Sequence, residues 1–218
     1  MKRLLFSFFI ALSLIMTSCG DTITEDKLEM RDGLAYKAGE STPFTGKMVG
    51  YYKSGMKKVE GPIINGKKEG KWVFLYENGA LSGAGDLVDG EKSGLWTYRH
   101  DNGGKSGEGI LIDGDKDGTW KFWDEEGRQK KEERYKKGVI LMSTIYHDNG
   151  SKKFEERYDN NKLMVRTFWY ENGQMMSKVN MKDGVNDGIA TSWYENGKIK
   201  SLIKYRDGKR ISEQNYDE

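Results

Sequence analysis

Two histidines, one cysteine, a run of aspartates and six tryptophans are the residues of this 218-residue chain whose types and spacing could do chemistry. His100 and His147 each stand where four sister segments carry a tyrosine, so a ring packed beside a turn is expected in place of a general base or metal ligand. Asp113, Asp115, Asp117 and Gly118 match the opening of a calcium loop, and Asp124 falls where such a loop places its bidentate carboxylate. The same positions elsewhere read Asp89-Gly90-Glu91-Lys92-Ser93-Gly94 and Asp183-Gly184-Val185-Asn186-Asp187-Gly188. A recurring turn explains all three stretches, so neither a metal nor any other cofactor is expected. The chain has no Gly-x-Ser-x-Gly, His-Glu-x-x-His or phosphate-cradling loop, and acids that recur at turns read as structural, not as a glycosidase pair. No enzyme activity and no small-molecule substrate are expected. The tryptophans are the better binding candidates. Trp72, Trp96 and Trp120 recur at one phase, while Trp123, Trp169 and Trp193 fall at the opposite parity. Both sets cannot be core in one sheet, and an exposed column would suit a protein partner or sugar rings.

The cysteine belongs to an address. Lys2 and Arg3 precede an apolar run from Leu4 to Met16, followed by Thr17, Ser18 and Cys19. That run has the charge, length and small-residue exit of a secretory signal peptide and is too short to cross about 30 Å of hydrocarbon as a helix. Cys19, the single cysteine, follows two small residues as in the bacterial lipobox, although Met16 sits where that motif prefers Leu. The resemblance implies cleavage before Cys19 and its lipidation. Each buried CH₂ contributes about 0.8 kcal/mol, so two or more acyl chains would hold a soluble domain on a membrane. Gly20 after the cysteine points to the outer membrane by resemblance to a bacterial sorting rule. The expected division is a signal peptide over 1–18 with a single helix, a polar tether over 19–27, and a repeat domain over 28–218.

These residues must be positioned by short strands, because glycine punctuates the chain at a fixed period. Turn glycines stand at Gly55, Gly79, Gly103, Gly127, Gly150, Gly173 and Gly197, 23 or 24 residues apart. A second series follows at Gly66, Gly90, Gly114, Gly138, Asn161, Gly184 and Gly208, and a third at Gly70, Gly94, Gly118 and Gly188. Asn-Gly between apolar stretches predicts a type I′ hairpin turn at the first series. Around it, Trp72, Phe74 and Tyr76 share one parity, as do Trp96, Tyr98 and His100, with Ile63, Leu87 and Leu111 on the return strands. The expected fold is therefore all-β: about seven antiparallel hairpin repeats forming an open twisted sheet or solenoid. A hairpin alone is marginal in water, so each repeat must lean on its neighbours. Leu28 to Phe44 reads as an atypical leading hairpin and Glu213 to Glu218 as a final half-strand.

Charge narrows the partners. Removing Lys2 and Arg3 from the 36 basic residues leaves 34, equal to the 34 acidic ones, so no nucleic acid is expected on a neutral mature chain. Tyr-Glu-Asn-Gly, Asp-Gly four residues before Gly-x-Trp, and Pro43-Phe44-Thr45-Gly46 together resemble the MORN-repeat variant of bacterial proteins called the YwqK family of antitoxins. That resemblance spans about residues 28–212 and implies an extended β array, a protein-interaction role and no catalysis. The expectation is a bacterial envelope protein, held by lipid, presenting a surface to another protein, with toxin neutralisation or glycan binding as alternatives.

Overall fold

The computed structural model describes residues 20–218; the leader, its expected helix and Cys19 lie outside the described residues. These residues form one open sheet of seventeen strands and a separate two-stranded hairpin. From Gly46–Tyr51 to Lys209–Asn215 the chain is an antiparallel meander in sequence order, with Lys67–Lys68 and Gly70–Leu75 together forming the return partner of Lys57–Ile64. A repeat is a strand such as Glu91–Arg99 with its return Lys105–Ile112. Alternation puts Trp96 and Tyr98 on one face and Leu95 and Thr97 on the other.

The two turn series differ from expectation in one respect. At Asp89-Gly90 both residues have positive φ (53° and 88°), which a two-residue type I′ turn needs, and the same geometry recurs at Asn160-Asn161. At Tyr76-Glu77-Asn78-Gly79 only Gly79 is left-handed (φ 84°). Gly79 N–H donates to Tyr76 O and Tyr76 N–H to Ala80 O, which closes a three-residue loop of the kind built from a type I turn and one left-handed residue. Type I′ therefore belongs to the second series, not the first. Asn occupies the first for its side chain: Asn78 Oδ1 accepts the Ala80 N–H, while its Nδ2 donates to Asp101 O in the next repeat.

The tether expected over residues 19–27 is corrected for its described part. Thr22–Thr24 pairs in parallel with Gly46–Tyr51, and Ile23 is buried. Polar neighbours hid this strand, because its single apolar residue is all that the pairing buries. The leading hairpin is present as Leu28–Arg31 and Leu34–Lys37, tied to the array through Ala35 N–H to Gly66 O and Phe44 N–H to Ala35 O. The final half-strand is in fact a seven-residue strand, Lys209–Asn215.

Side chains latch one repeat to the next. The Tyr52 hydroxyl donates to Leu75 O, Tyr76 to Arg99 O, Tyr170 to Trp193 O and Tyr194 to Tyr216 O. His100 and His147 use Nε2 for the same contact, to Trp123 O and Trp169 O. Only Asp124 breaks the series, turning its carboxylate to Arg128. Tyr76→Phe is expected to cost about 1 kcal/mol, the net worth of one such bond. Urea unfolding would measure this, with the exposed Tyr51→Phe as the silent comparison.

Candidate functional site

Trp72, Trp96 and Trp120 are 0%, 0% and 2% exposed. They are the core of the first repeats, and the exposed column considered for them is corrected. The cause is a glycine in the strand beneath each indole. A Cβ on Gly61, Gly85 or Gly109 would lie 2.3–2.4 Å from the ring of Trp72, Trp96 or Trp120, respectively. With hydrogen there, each indole lies flat on the neighbouring backbone. Trp96 Nε1 donates to Asp86 O and Trp120 Nε1 to Ile110 O, while Trp72 Nε1 is buried without a partner. Phe74 and Tyr98 fill the gaps between indoles and Phe122 follows the last, giving an aromatic ladder with successive centroids 5.8–6.4 Å apart.

Three lysines lie over the indoles of this ladder, and a fourth, Lys131, over Phe122. Lys68 Nζ is 4.9 Å from the Trp72 centroid, Lys92 Nζ 4.3 Å from Trp96, and Lys116 Nζ 4.9 Å from Trp120. The face is hollowed at two places. One hollow of 520 Å³ is floored by Met48 and Ile63 beside Lys68, and another of 410 Å³ is bounded by Lys92, Tyr98, Lys116 and Phe122.

Beyond Trp120 the glycine–tryptophan pairs give way to other complementary pairs. Glu133 faces Ser143, Glu156 faces Arg166 at 2.8 Å, and Val179 faces Ala190. Glu133 on this face and Glu155 on the other are 6% and 2% exposed. Burial pushes both carboxyls up, but hydrogen bonds outweigh it, from Lys131 and Tyr135 to Glu133 and from Lys152 and Arg157 to Glu155, so both sit below the ordinary range. Burial, and then Glu156, pushes the Tyr158 hydroxyl up to about 12. A carboxyl whose folded value is lowered stabilises fully above its unfolded value of about 4.3, and that contribution is lost as pH falls through the folded value. Urea midpoints are expected to fall on acidification from pH 7 to below pH 4, and Glu133→Gln with Glu155→Gln to flatten that fall.

On the opposite face, Trp123, Trp169 and Trp193 are half-buried near the turns. Lys105 lies over Trp123 at 5.0 Å and Lys152 over Trp169 at 5.3 Å. Lys57–Glu60, Lys105–Glu108 and Lys152–Glu155 repeat one ion pair along this face. Leu95, Ile110 and Ile112 are exposed there, with Leu95 directly opposite Ile110. The turn glycines Gly55, Gly79, Gly103, Gly127, Gly150, Gly173 and Gly197 are all left-handed and shape the hairpin ends. Asp117, part of the calcium-like stretch, accepts the Lys137 N–H at 3.0 Å, just as Glu69 accepts that of Asp89 and Asp187 that of Asp207. Its place in the pattern is that of a cap for the next repeat's turn. Among the described residues, no three His, Cys, Asp or Glu side chains converge as a metal site would require.

Sequence reasoning did not single out the lysines over the ladder or the glycines under it. Both left a signal: Lys68, Lys92 and Lys116, like Gly61, Gly85 and Gly109, recur at the 24-residue step.

Comparison with solved structures gives distant likenesses. The GtfA/B complex bound to UDP and GlcNAc is 14% identical with a TM-score of 0.21, over 56% of this chain and only 22% of that one. A porin-like protein from Bacteroides uniformis is 9% identical with a TM-score of 0.24, over 82% of this chain and 90% of that one. No curated protein matches the chain. Residues 162–183 and 186–207, two adjacent units of the array, match the family described as MORN repeat variant.

Proposed function

We propose that this is a non-catalytic bacterial envelope lipoprotein, anchored through Cys19, whose β array is a binding surface for another protein. The observation that carries the interaction role is a repeated sheet with exposed apolar side chains set among ordered charges. Leu95, Ile110 and Ile112, at 58%, 47% and 50% exposed, are grouped on one face, and such grouping marks surfaces that meet partners. The envelope address rests on Lys2, Arg3, the apolar run and Cys19. Glycan binding through Trp72, Trp96 and Trp120 loses support, since an indole with no exposed face offers no platform for a sugar ring.

The test is affinity capture from detergent-solubilised envelope with the lipidated full chain as bait and an unrelated lipoprotein as control. A specific co-purifying protein, lost when Leu95→Lys and Ile110→Lys are introduced, is the expected result. Recovery of nothing above the control would overturn the reading.

A further inference from the structure

The lysines over the aromatic ladder have a spacing that selects a ligand shape. Two antiparallel strands separate Lys68 from Lys92 and Lys92 from Lys116, so their ammonium groups recur roughly every 9.5 Å, two interstrand spacings. Among the described residues Lys68 and Lys92 make no ion pair, Lys92 donates one hydrogen bond to the Tyr98 hydroxyl at 3.0 Å, and Lys116 pairs with Glu133 at 3.5 Å and donates to the Tyr135 hydroxyl. The three charges therefore stand over apolar rings with unused donor capacity, although the mature chain is neutral overall.

Building on the protein-interaction reading, we propose that this strip binds an extended acidic segment of the partner, in polyproline II conformation, with a carboxylate at every third residue. Three residues of that helix rise about 9.3 Å, close to the lysine period. A β-strand repeats its same-side positions at about 6.6 Å and would meet only some of the ammonium groups. The half-exposed rings of Phe74, Tyr98 and Phe122 alternate with the lysines, so proline or other apolar residues between the acids would rest on them, as in aromatic grooves that read preformed polyproline II segments. The hollow between Lys92 and Lys116, which no carboxylate lines, lies where such a segment would run, whereas the one beside Lys68 is also lined by Glu25 and Asp89 and would mark its end. The strip is local, because the next three equivalent positions are Ile140, Leu163 and Asn186, and a basic residue returns there only at Arg210 in the last strand.

The test is fluorescence anisotropy with the full chain in detergent and three labelled peptides: (Pro-Pro-Glu)₅, an isomer with all its glutamates at one end, and (Pro-Pro-Gln)₅. The periodic acidic peptide is expected to bind at least fivefold tighter than its isomer, and the neutral one not to bind. Lys92→Gln with Lys116→Gln should weaken binding at least tenfold, Lys92→Arg should retain it, and Lys121→Gln on the other face should leave it unchanged. If the double variant lost its near-ultraviolet tryptophan signal, Lys68→Gln, at an exposed position, should still weaken binding about threefold. Equal affinity for the two acidic isomers, full binding by the double variant, or tighter binding of a uronic acid polymer would each overturn the proposal. Envelope capture equal for the unaltered chain and the double variant would also overturn it, while leaving the interaction reading standing.

Discussion

Gly85→Val destabilises the protein by about 3 kcal/mol, at the upper end of overpacking costs, if the indole column is built as described. The added Cβ would sit 2.4 Å from two ring carbons of Trp96, a fully buried side chain held in place by Phe74, Tyr98 and its own bond to Asp86. Trp96→Ala alone should cost about 3–5 kcal/mol, as large-to-small changes in cores do. Combining them tests the pairing itself. The later repeats place Val179 opposite Ala190 at this same location, so Gly85→Val with Trp96→Ala installs a combination that the array already tolerates. The double variant should lose at least 1 kcal/mol less than the two single losses together, an interaction within the usual range for touching residues. Urea unfolding followed by circular dichroism would measure it. Strict additivity would mean that glycine is needed there for its backbone and not for the space it leaves.

Cys19→Ser is the second large effect expected, and it is all-or-none. Under the lipoprotein reading the change removes the acylated thiol and releases the protein from the membrane fraction. No helix among the described residues is long and apolar enough to cross a membrane, and balanced charge gives little attraction to anionic lipid. Labelled palmitate incorporation and fractionation through a high-salt wash would measure the outcome. A variant that stayed with the membrane would show that the leader is retained as an anchor or that the sheet itself holds lipid. Because Thr22–Thr24 is part of the sheet, only two residues separate the cysteine from folded structure. Thermal unfolding of the soluble variant should nonetheless match that of the unaltered chain, since the substitution precedes Ile23, the first buried side chain.

Much of the fold was legible because identical local rules repeat. Glycine spacing gave the hairpins, parity separated Trp96 from Trp123, and Asn161, standing in a series of glycines, is left-handed as they are. Legibility failed where two mechanisms favour the same residues. Asn-Gly suits both a type I′ turn and a three-residue loop in which the asparagine amide bonds across to the next repeat, and composition does not separate them. It failed again at Thr22–Thr24, whose parallel partner lies about 25 residues away in sequence and leaves no local period. The candidate site was legible only in part. The tryptophans drew notice by their size, yet the glycines and lysines that decide whether those rings are reachable are ordinary residues whose meaning comes from the strand beside them.

The meander has a consequence for how such a molecule changes over generations. Since each strand from Leu81–Val88 onward pairs only with the strands before and after it, an in-frame duplication or loss of 24 residues between equivalent turns inserts or removes a hairpin without rerouting the chain. Length is thus a heritable variable that mutation can adjust in steps of about 9.5 Å, one hairpin's width. The surface chemistry of the remaining hairpins stays as it was. Selection can then act on how far the array extends separately from what each segment of it touches.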